Sequence, residues 1–487
     1  RPPMQFKPLL MGLLLALTLL AGCVDDGTSS PADPASGHDA PWSAGTGNWT
    51  NPAILAEEGH DHDDPFQHDI ANNMSLVGFN ALGDQGPPGA ISEVDVAGDW
   101  AFIGIMGYGF QIVDISNVTD PQLVASVEID VPDQASPLDV YLADLKADDT
   151  GDWLFVALEL STTPGVLIYD TRDKANPTLA GFWPEPGLLL GCHMVEYAII
   201  GELEYLFCAP LDNAVYVGLL LPPVDTPAGS VREVAQVARW MPHTPKFAQQ
   251  QTDALTDYIV NQQDPAGAAL HFVSGHQDMT HQVDPLTGAD ILSVSFWNLG
   301  LRFVDVSIPA APLEIGSWAG EDSEKWSGVL HTSMMFEQDG RRIAVTIPEG
   351  GRPPAMFVLD ATDLDNPVIL SEWTARDDFL GEDGRFSMHN FQIVDGKVYI
   401  AMYHGGIWVL DISTPELQAQ PKVLGTYMPW VRGEGPDDPA YGRGCCSGIM
   451  SWDVLVHHGY VLAANAGFYV LRLEGVPVGP EAPSGFA

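Results

Sequence analysis

Basic residues are scarce in this chain. Twenty Lys and Arg stand against 65 Asp and Glu, a formal net charge of −45. A surface this acidic repels phosphate backbones and anionic headgroups, which sets nucleic-acid binding aside as a function. The acidity itself reads as solubility, of the kind used for life in salt, rather than as an acidic binding site. Familiar reaction motifs are missing as well. There is no Walker-type glycine-rich loop, no GxSxG elbow and no HExxH helix. Cysteine is sparse, at five residues. The apolar run Leu9–Leu20 is too short to span a bilayer.

That run has another use. Lys7 supplies a positive flank and Leu9–Leu20 an apolar core, the pattern of an export signal, with Met4 read as the start. The core ends in Leu20-Ala21-Gly22-Cys23, which resembles a lipobox. The resemblance implies cleavage before Cys23 and lipid on its sulfur. Residues 1–22 are then the signal peptide, and 23–58, rich in Asp, Ser, Gly, Pro and Ala, a flexible tether. The expected location is outside the cell membrane, at the cell surface or in the periplasm, where disulfides persist.

One phrase recurs after the tether. It reads GFQIVDISNVTDPQLVASVEI from Gly109, GVLIYDTRDKANPTLAGFW from Gly165 and GLRFVDVSIPAAPLEIGSW from Gly300. It returns from Ala355 and Gly406. Each copy is a β-branched and aromatic run, an Asp, a polar turn and a second short strand. The aspartates are Asp114, Asp170, Asp305, Asp360 and Asp411. One such unit cannot bury its own apolar face, so repetition implies an array or a propeller. The recurring Asp is expected to cap the turn through its side chain.

The stretch Phe386–Tyr427 shows the whole unit. Strand a is MHNFQIV, Asp395-Gly396 turns the chain, strand b is KVYIAMY, strand c IWVLDI and strand d KVLGTY. Alternation and turn residues give four antiparallel strands, the size of a propeller blade. Counting strand c gives seven units; Gly218 and Arg472 replace the Asp in two of them. The last unit lacks strand d, and MSLVGFNAL from Met74 resembles one. The expectation is an all-β, seven-bladed propeller over residues 74–475, closed between residues near 74–81 and 467–473, with 476–487 as a tail. Closure removes two exposed sheet edges. The repeats resemble the LVIVD-repeat family of prokaryotic surface proteins, which implies a β-propeller and says little about activity.

Propeller topology puts the starts of strands a and the b–c loops on one face and the c–d turns on the other. The long d-to-a connections, such as Arg239–Thr280 and Met428–Met450, share the first face, where function is expected. Within the first of them, Lys246–Gln263 has helix-like apolar spacing and is read as a short lid helix. Histidines recur there: His193, His281, His331 and His389 each sit near the start of an expected innermost strand. Four imidazoles aimed at the axis would suit Cu, Fe or Zn. The plan is similar, in arrangement and not in motif, to that of carotenoid-cleaving oxygenases. The bland reading is channel lining that holds water. His404 and His276 are candidates for contacts outside the ligand set or on the substrate side.

Other candidates are separate. The segment 59–73 holds His60, His62, Asp63, Asp64 and His68, dense enough to chelate a divalent metal or to be a solvated linker. By topology it should join the propeller near the face opposite the histidines. Cys192 and Cys208 flank a turn on adjacent strands and can bridge. Cys445-Cys446 can close a vicinal disulfide, bind a soft metal or stay as thiols. Asn48, Asn73 and Asn117 fit the N-x-S/T pattern.

Two functions lead, with metal capture by His60, His62 and His68 at the cell surface as a third. The first is a lipid-anchored binding module that takes a surface protein, glycan or small molecule on its long-loop face. The second is a metal-dependent enzyme, an oxidoreductase by preference, with the axial histidines as ligands. The fold by itself licenses no chemistry.

Overall fold

A computed structural model describes residues 70–82, 91–130, 140–159, 164–184, 191–210, 214–227, 229–242, 277–297, 299–320, 323, 330–349, 355–375, 388–403, 405–428, 451–464 and 467–476. Cys23, the His60–His68 cluster with Asp64, His276, His404, Cys445, Cys446, Asn48 and the Lys246–Gln263 segment lie outside these residues.

Seven antiparallel sheets follow one another around an axis. Blade 1 is β3 (Ile91–Ala97), β4 (Trp100–Ile105), β5 (Gly109–Asp114) and β6 (Gln122–Glu128). Blade 2 is β7 (Tyr141–Ala147), β8 (Trp153–Glu159), β9 (Gly165–Asp170) and β10 (Thr178–Pro184). Blade 3 is β11 (Met194–Ile200), β12 (Leu203–Ala209), β13 (Val215–Leu220) and β16 (Val234–Trp240), with the hairpin β14 (Val224–Thr226) and β15 (Gly229–Val231) between the last two. Blade 4 is β17 (Gln277–Val283), β18 (Asp290–Phe296), β19 (Gly300–Asp305) and β20 (Leu313–Trp318). Blade 5 is β21 (Leu330–Gln338), β22 (Arg341–Pro348), β23 (Ala355–Asp360) and β24 (Val368–Thr374). Blade 6 is β25 (Phe391–Val394), β26 (Lys397–Ala401), β27 (Ile407–Asp411) and β28 (Lys422–Met428), with the short helix α1 (Pro415–Ala419) in its c–d turn. Blade 7 is β29 (Asp453–His457), β30 (Tyr460–Ala464), β31 (Phe468–Leu473) and β2 (Met74–Asn80).

The burial pattern explains the strand compositions. β8 reads WLFVALE and is buried at every position, because both faces of an inner strand meet a neighbouring blade. β6 lies outermost and is mostly exposed. The core is accordingly divided into seven clusters, one for each pair of adjacent blades, including blade 7 against blade 1. The seventh interface exists because the N-terminal strand β2 completes the last blade, pairing Met74 with Leu473 and Asn80 with Phe468.

All five recurring aspartates cap the turn they begin. Asp114, Asp170, Asp305, Asp360 and Asp411 each accept, through Oδ1, the backbone N–H two residues on, at 2.8–3.1 Å. The c–d pairing also shifts register once in every blade. Beside three of these bulges stands a glycine of strand d with no room for a side chain. A Cβ on Gly78, Gly181 or Gly316 would lie 2.0–2.2 Å from a carbonyl of the next blade's c–d connection, on Val118, Arg232 and Leu364 respectively. Turns thus dock on the outer strand of the preceding blade.

One strand was not expected. β1 (Ile70–Asn72) pairs outside β28 and makes blade 6 five-stranded. Asn73, at φ 55°, turns the chain from blade 6 to blade 7, and its Nδ2 donates to Leu424 O at 2.8 Å. That nitrogen is the atom a glycan would need. Ile70 lies opposite Met428, the end of strand d, so the chain reaches β1 from the histidine face. This corrects the expectation that the 59–73 segment joins at the opposite face: the extra strand adds one more passage across the disc. Among the described residues no helix is long and apolar enough to cross a membrane.

Candidate functional site at the axial mouth

Strand a is the inner edge of each blade, so half of its backbone groups have no partner within the sheet. Side chains of the neighbouring blade supply several. Asp95 Oδ2 accepts from Ala147 N at 2.6 Å, Asp144 Oδ2 from Val195 N at 2.8 Å and Asp453 Oδ2 from Val94 N at 3.2 Å. Gln282 accepts from Met335 N, and Gln392 from Val456 N. Polar residues in inner strands are therefore partly staples between blades.

Above these staples, buried ionisable groups gather where the inner strands begin. Glu159, at the end of β8, is 1 % exposed and places Oε2 2.6 Å from His193 Nδ1. Burial alone would lower the His193 pKa; Glu159, with Asp278 and Glu349, more than offsets it and holds the imidazole above its ordinary value. Asp278, on β17, comes within 3.5 Å of His331 Nδ1. Its own pKa is raised, because burial outweighs the pull of His331, the hydrogen bond from Thr332, and the charges of Lys146 and His193. The His331 and His389 rings meet at 4.2 Å between centroids, tilted by 40°. His389 Nδ1 faces Trp452 O at 2.9 Å, and its ring packs on Tyr403 and Trp452 at 5.1 and 4.6 Å. The Tyr403 hydroxyl donates to Glu349 Oε1 at 2.6 Å. Blades 2 to 7 each contribute to this mouth.

Three of the four expected histidines are brought to it: His193, His331 and His389. His281 is not. It bonds Asp290 Oδ1 at 3.1 Å and stacks against Phe207 of blade 3, so it faces the interface between blades 3 and 4. The reason is strand phase. β17 begins at Gln277, which puts His281 five residues in and on the same side as Met279, a member of that interface core. Burial lowers the His281 pKa, with Asp290 offsetting part of the shift. Among the described residues, no three His, Cys, Asp or Glu side chains are placed to hold a metal ion.

Sequence reading passed over the carboxylates. Glu159 and Glu349 stand at the ends of b strands, where the signal in the sequence is an acid closing a wholly apolar run, WLFVALE. Deeper in the axis, burial pushes Asp144 up to about 7 despite Lys146, and Glu196 up to about 8. Glu93 is raised well above its usual range by burial and by Asp453 and Asp144. Asn390 Nδ2 donates to both of its oxygens, at 3.2 and 3.0 Å.

A disulfide braces one edge of the site. Cys192 and Cys208 are joined across β11 and β12 with Cα atoms 5.7 Å apart. Cys192 directly precedes His193, so the bond holds the approach of that imidazole to the ring.

Strand order and the seven interface cores define a seven-bladed β-propeller with a polar, ionisable axial mouth. The chain carries LVIVD repeats: the family model for this repeat matches residues 88–129, covering blade 1, and 292–319, covering strands b to d of blade 4. No curated protein matches the sequence. Among solved structures, the chain is similar to dihydro-heme d1 dehydrogenase NirN in complex with DHE, at 14 % identity and a TM-score of 0.45, over 79 % of this chain and 64 % of that one. It is also similar to Saccharomyces cerevisiae Sqt1, at 9 % identity, TM-score 0.45, over 82 % and 98 % of the two chains. A chain of a mitotic checkpoint complex aligns at 9 % identity, TM-score 0.49, over 82 % and 95 %.

Proposed function

We propose that this protein is an exported, lipid-anchored binding module that takes its ligand at the axial mouth. The lipobox-like Cys23 supplies the anchor and the LVIVD repeats the scaffold. One observation carries the location of the site. Glu159 Oε1 and Asp278 Oδ2 are buried and have no hydrogen-bond partner among the described residues. Each such oxygen costs about 1–3 kcal/mol or more; Asp144 Oδ1, on a staple between blades, is in the same state, and what sets Glu159 and Asp278 apart is their place where the inner strands begin. Function at the mouth of a rigid scaffold gives that cost a use.

A second reading keeps the metal-dependent enzyme, with Cu, Fe or Zn held by His193, His331 and His389. The close approach of His331, His389 and Asp278 supports it. One preparation separates the two. The full chain, purified in detergent, is analysed for bound elements and, after denaturation, for released small molecules by mass spectrometry. A small molecule near one per chain, absent from a His331→Ala/His389→Ala variant, supports the binding module. A stoichiometric transition metal lost in the same variant moves the enzyme reading ahead. A folded chain that holds neither, and fails to take up added Cu, Fe or Zn, leaves the mouth without a ligand and overturns both.

A further inference from the structure

We infer that the ligand of the axial mouth is a small organic cation with N–H donors, a guanidinium or a primary ammonium; this rests on the mouth being the binding site. The donor and acceptor balance points that way. Glu159 spends Oε2 on His193, and its Oε1 is buried without a partner among the described residues. Asp278 is 4 % exposed, and its Oδ2 lies near His331 without forming a hydrogen bond. Glu159 Oε1 therefore waits for a donor, while Asp278 already has Thr332 as a hydrogen-bond partner and keeps only Oδ2, 3.5 Å from His331, without one.

No described Lys or Arg forms an ion pair with either carboxylate; the described ion pairs of Arg172, Lys174, Arg232, Arg302, Arg341, Arg342 and Arg472 all lie elsewhere. Another wall of the mouth is aromatic, and Trp452 Nε1 on it is a buried donor without a partner among the described residues. Tyr403, Trp452 and His389 pack mutually within 5.1 Å between ring centroids. Aromatic faces attract an organic cation and add nothing for an anion. A bare metal ion fits less well, because no described set of three ligands converges. Planar N–H pairs, by contrast, match a carboxylate edge at ordinary hydrogen-bond lengths and need no convergence on a point.

The test is isothermal titration of the full chain in detergent. The probes are agmatine, which carries both cationic groups, its uncharged and anionic contrasts 1-butanol and butyrate, and zinc chloride. Agmatine is expected to bind once per chain and the two contrasts not to bind. Glu159→Gln and, as a second variant, Asp278→Asn should each weaken agmatine by about tenfold or more, the scale of one lost charge-assisted bond. Circular dichroism and thermal unfolding show whether each variant is folded. Asp360→Asn, on the far face, should leave binding unchanged. Binding of butyrate, 1-butanol or zinc but not agmatine, lost in His331→Ala, overturns the cation and keeps the mouth as a binding site. Agmatine binding that neither carboxylate variant affects overturns the proposed contacts. No binding by any probe overturns the inference and the location of the site together.

Discussion

The two faces of this disc treat their carboxylates in opposite ways. On the c–d face, the same Asp recurs in five blades, and each copy spends its oxygen on a backbone N–H two residues away. At the axial mouth no single residue runs around the ring: His recurs in three blades and Glu at the ends of two b strands, and the remaining contributions differ. Blade 2 gives Glu159, blade 3 His193, blade 4 Asp278, blade 5 His331 and Glu349, blade 6 His389 and Tyr403, and blade 7 Trp452. Glu159 keeps an oxygen without a hydrogen bond among the described residues, and Asp278 one that the His331 ring approaches only at 3.5 Å. Repetition here marks construction, and departure from repetition marks the place where a ligand is expected. A signature defined by its repeats therefore describes how the fold is built.

The contrast can be broken from either side, and the largest effect belongs to the built face. In Gly316→Val, a Cβ would start 2.2 Å from Leu364 O, a backbone atom that cannot move aside without shifting its turn. A loss of about 3 kcal/mol is expected, the upper range for overpacking. Chemical denaturation reads it directly. A variant as stable as the parent would mean that turn docking does not hold blades 4 and 5 together.

A pH-dependent effect belongs to the axis. Burial raises Glu196 from an ordinary 4.5 to about 8, against the pull of Lys146. Its protonated form is favoured in the fold, so its contribution is complete below pH 4.5 and is lost as pH rises through about 8. Glu196→Gln removes that dependence. The melting temperature of the variant should therefore gain on the parent steadily between pH 5 and pH 9. A constant difference across that window would show that the fold does not hold Glu196 protonated.

The smallest effect is a single turn cap. Asp305→Ala loses the 2.8 Å bond from Ser307 N, at a cost of about 1 kcal/mol. Ligand binding at the mouth should not change. A binding defect in this variant would join the two faces that the structure keeps apart.

Much of the fold was legible because its signals are periodic. The Asp-turn phrase located strands c and d, and Asp395-Gly396, with φ of 50° and 66°, marked a tight a–b hairpin. The closing strand was legible because MSLVGFN resembles the other outer strands. β1 was not: three residues, Ile-Ala-Asn, carry no alternation. The site was read only in part, for two reasons. The face of His281 depended on where β17 begins, and a shift of one residue exchanges the faces of a strand. Glu159 and Glu349 belong to b strands, and their meeting with inner-strand histidines is a product of closure that no local pattern contains.

Closure has a consequence for how this chain comes to exist. β2 is among the first strands of the propeller to be synthesised, yet its partner β31 is the last. Until some 390 residues have followed it, β2 has no sheet to join, and an incomplete chain presents both an unpaired β2 and an open seventh blade. A propeller built from near-identical local units thereby becomes all-or-nothing at its seam. The ring works as a checkpoint on length, since only a chain carried through to its final strand can hide its edges from proteases and from other copies of itself.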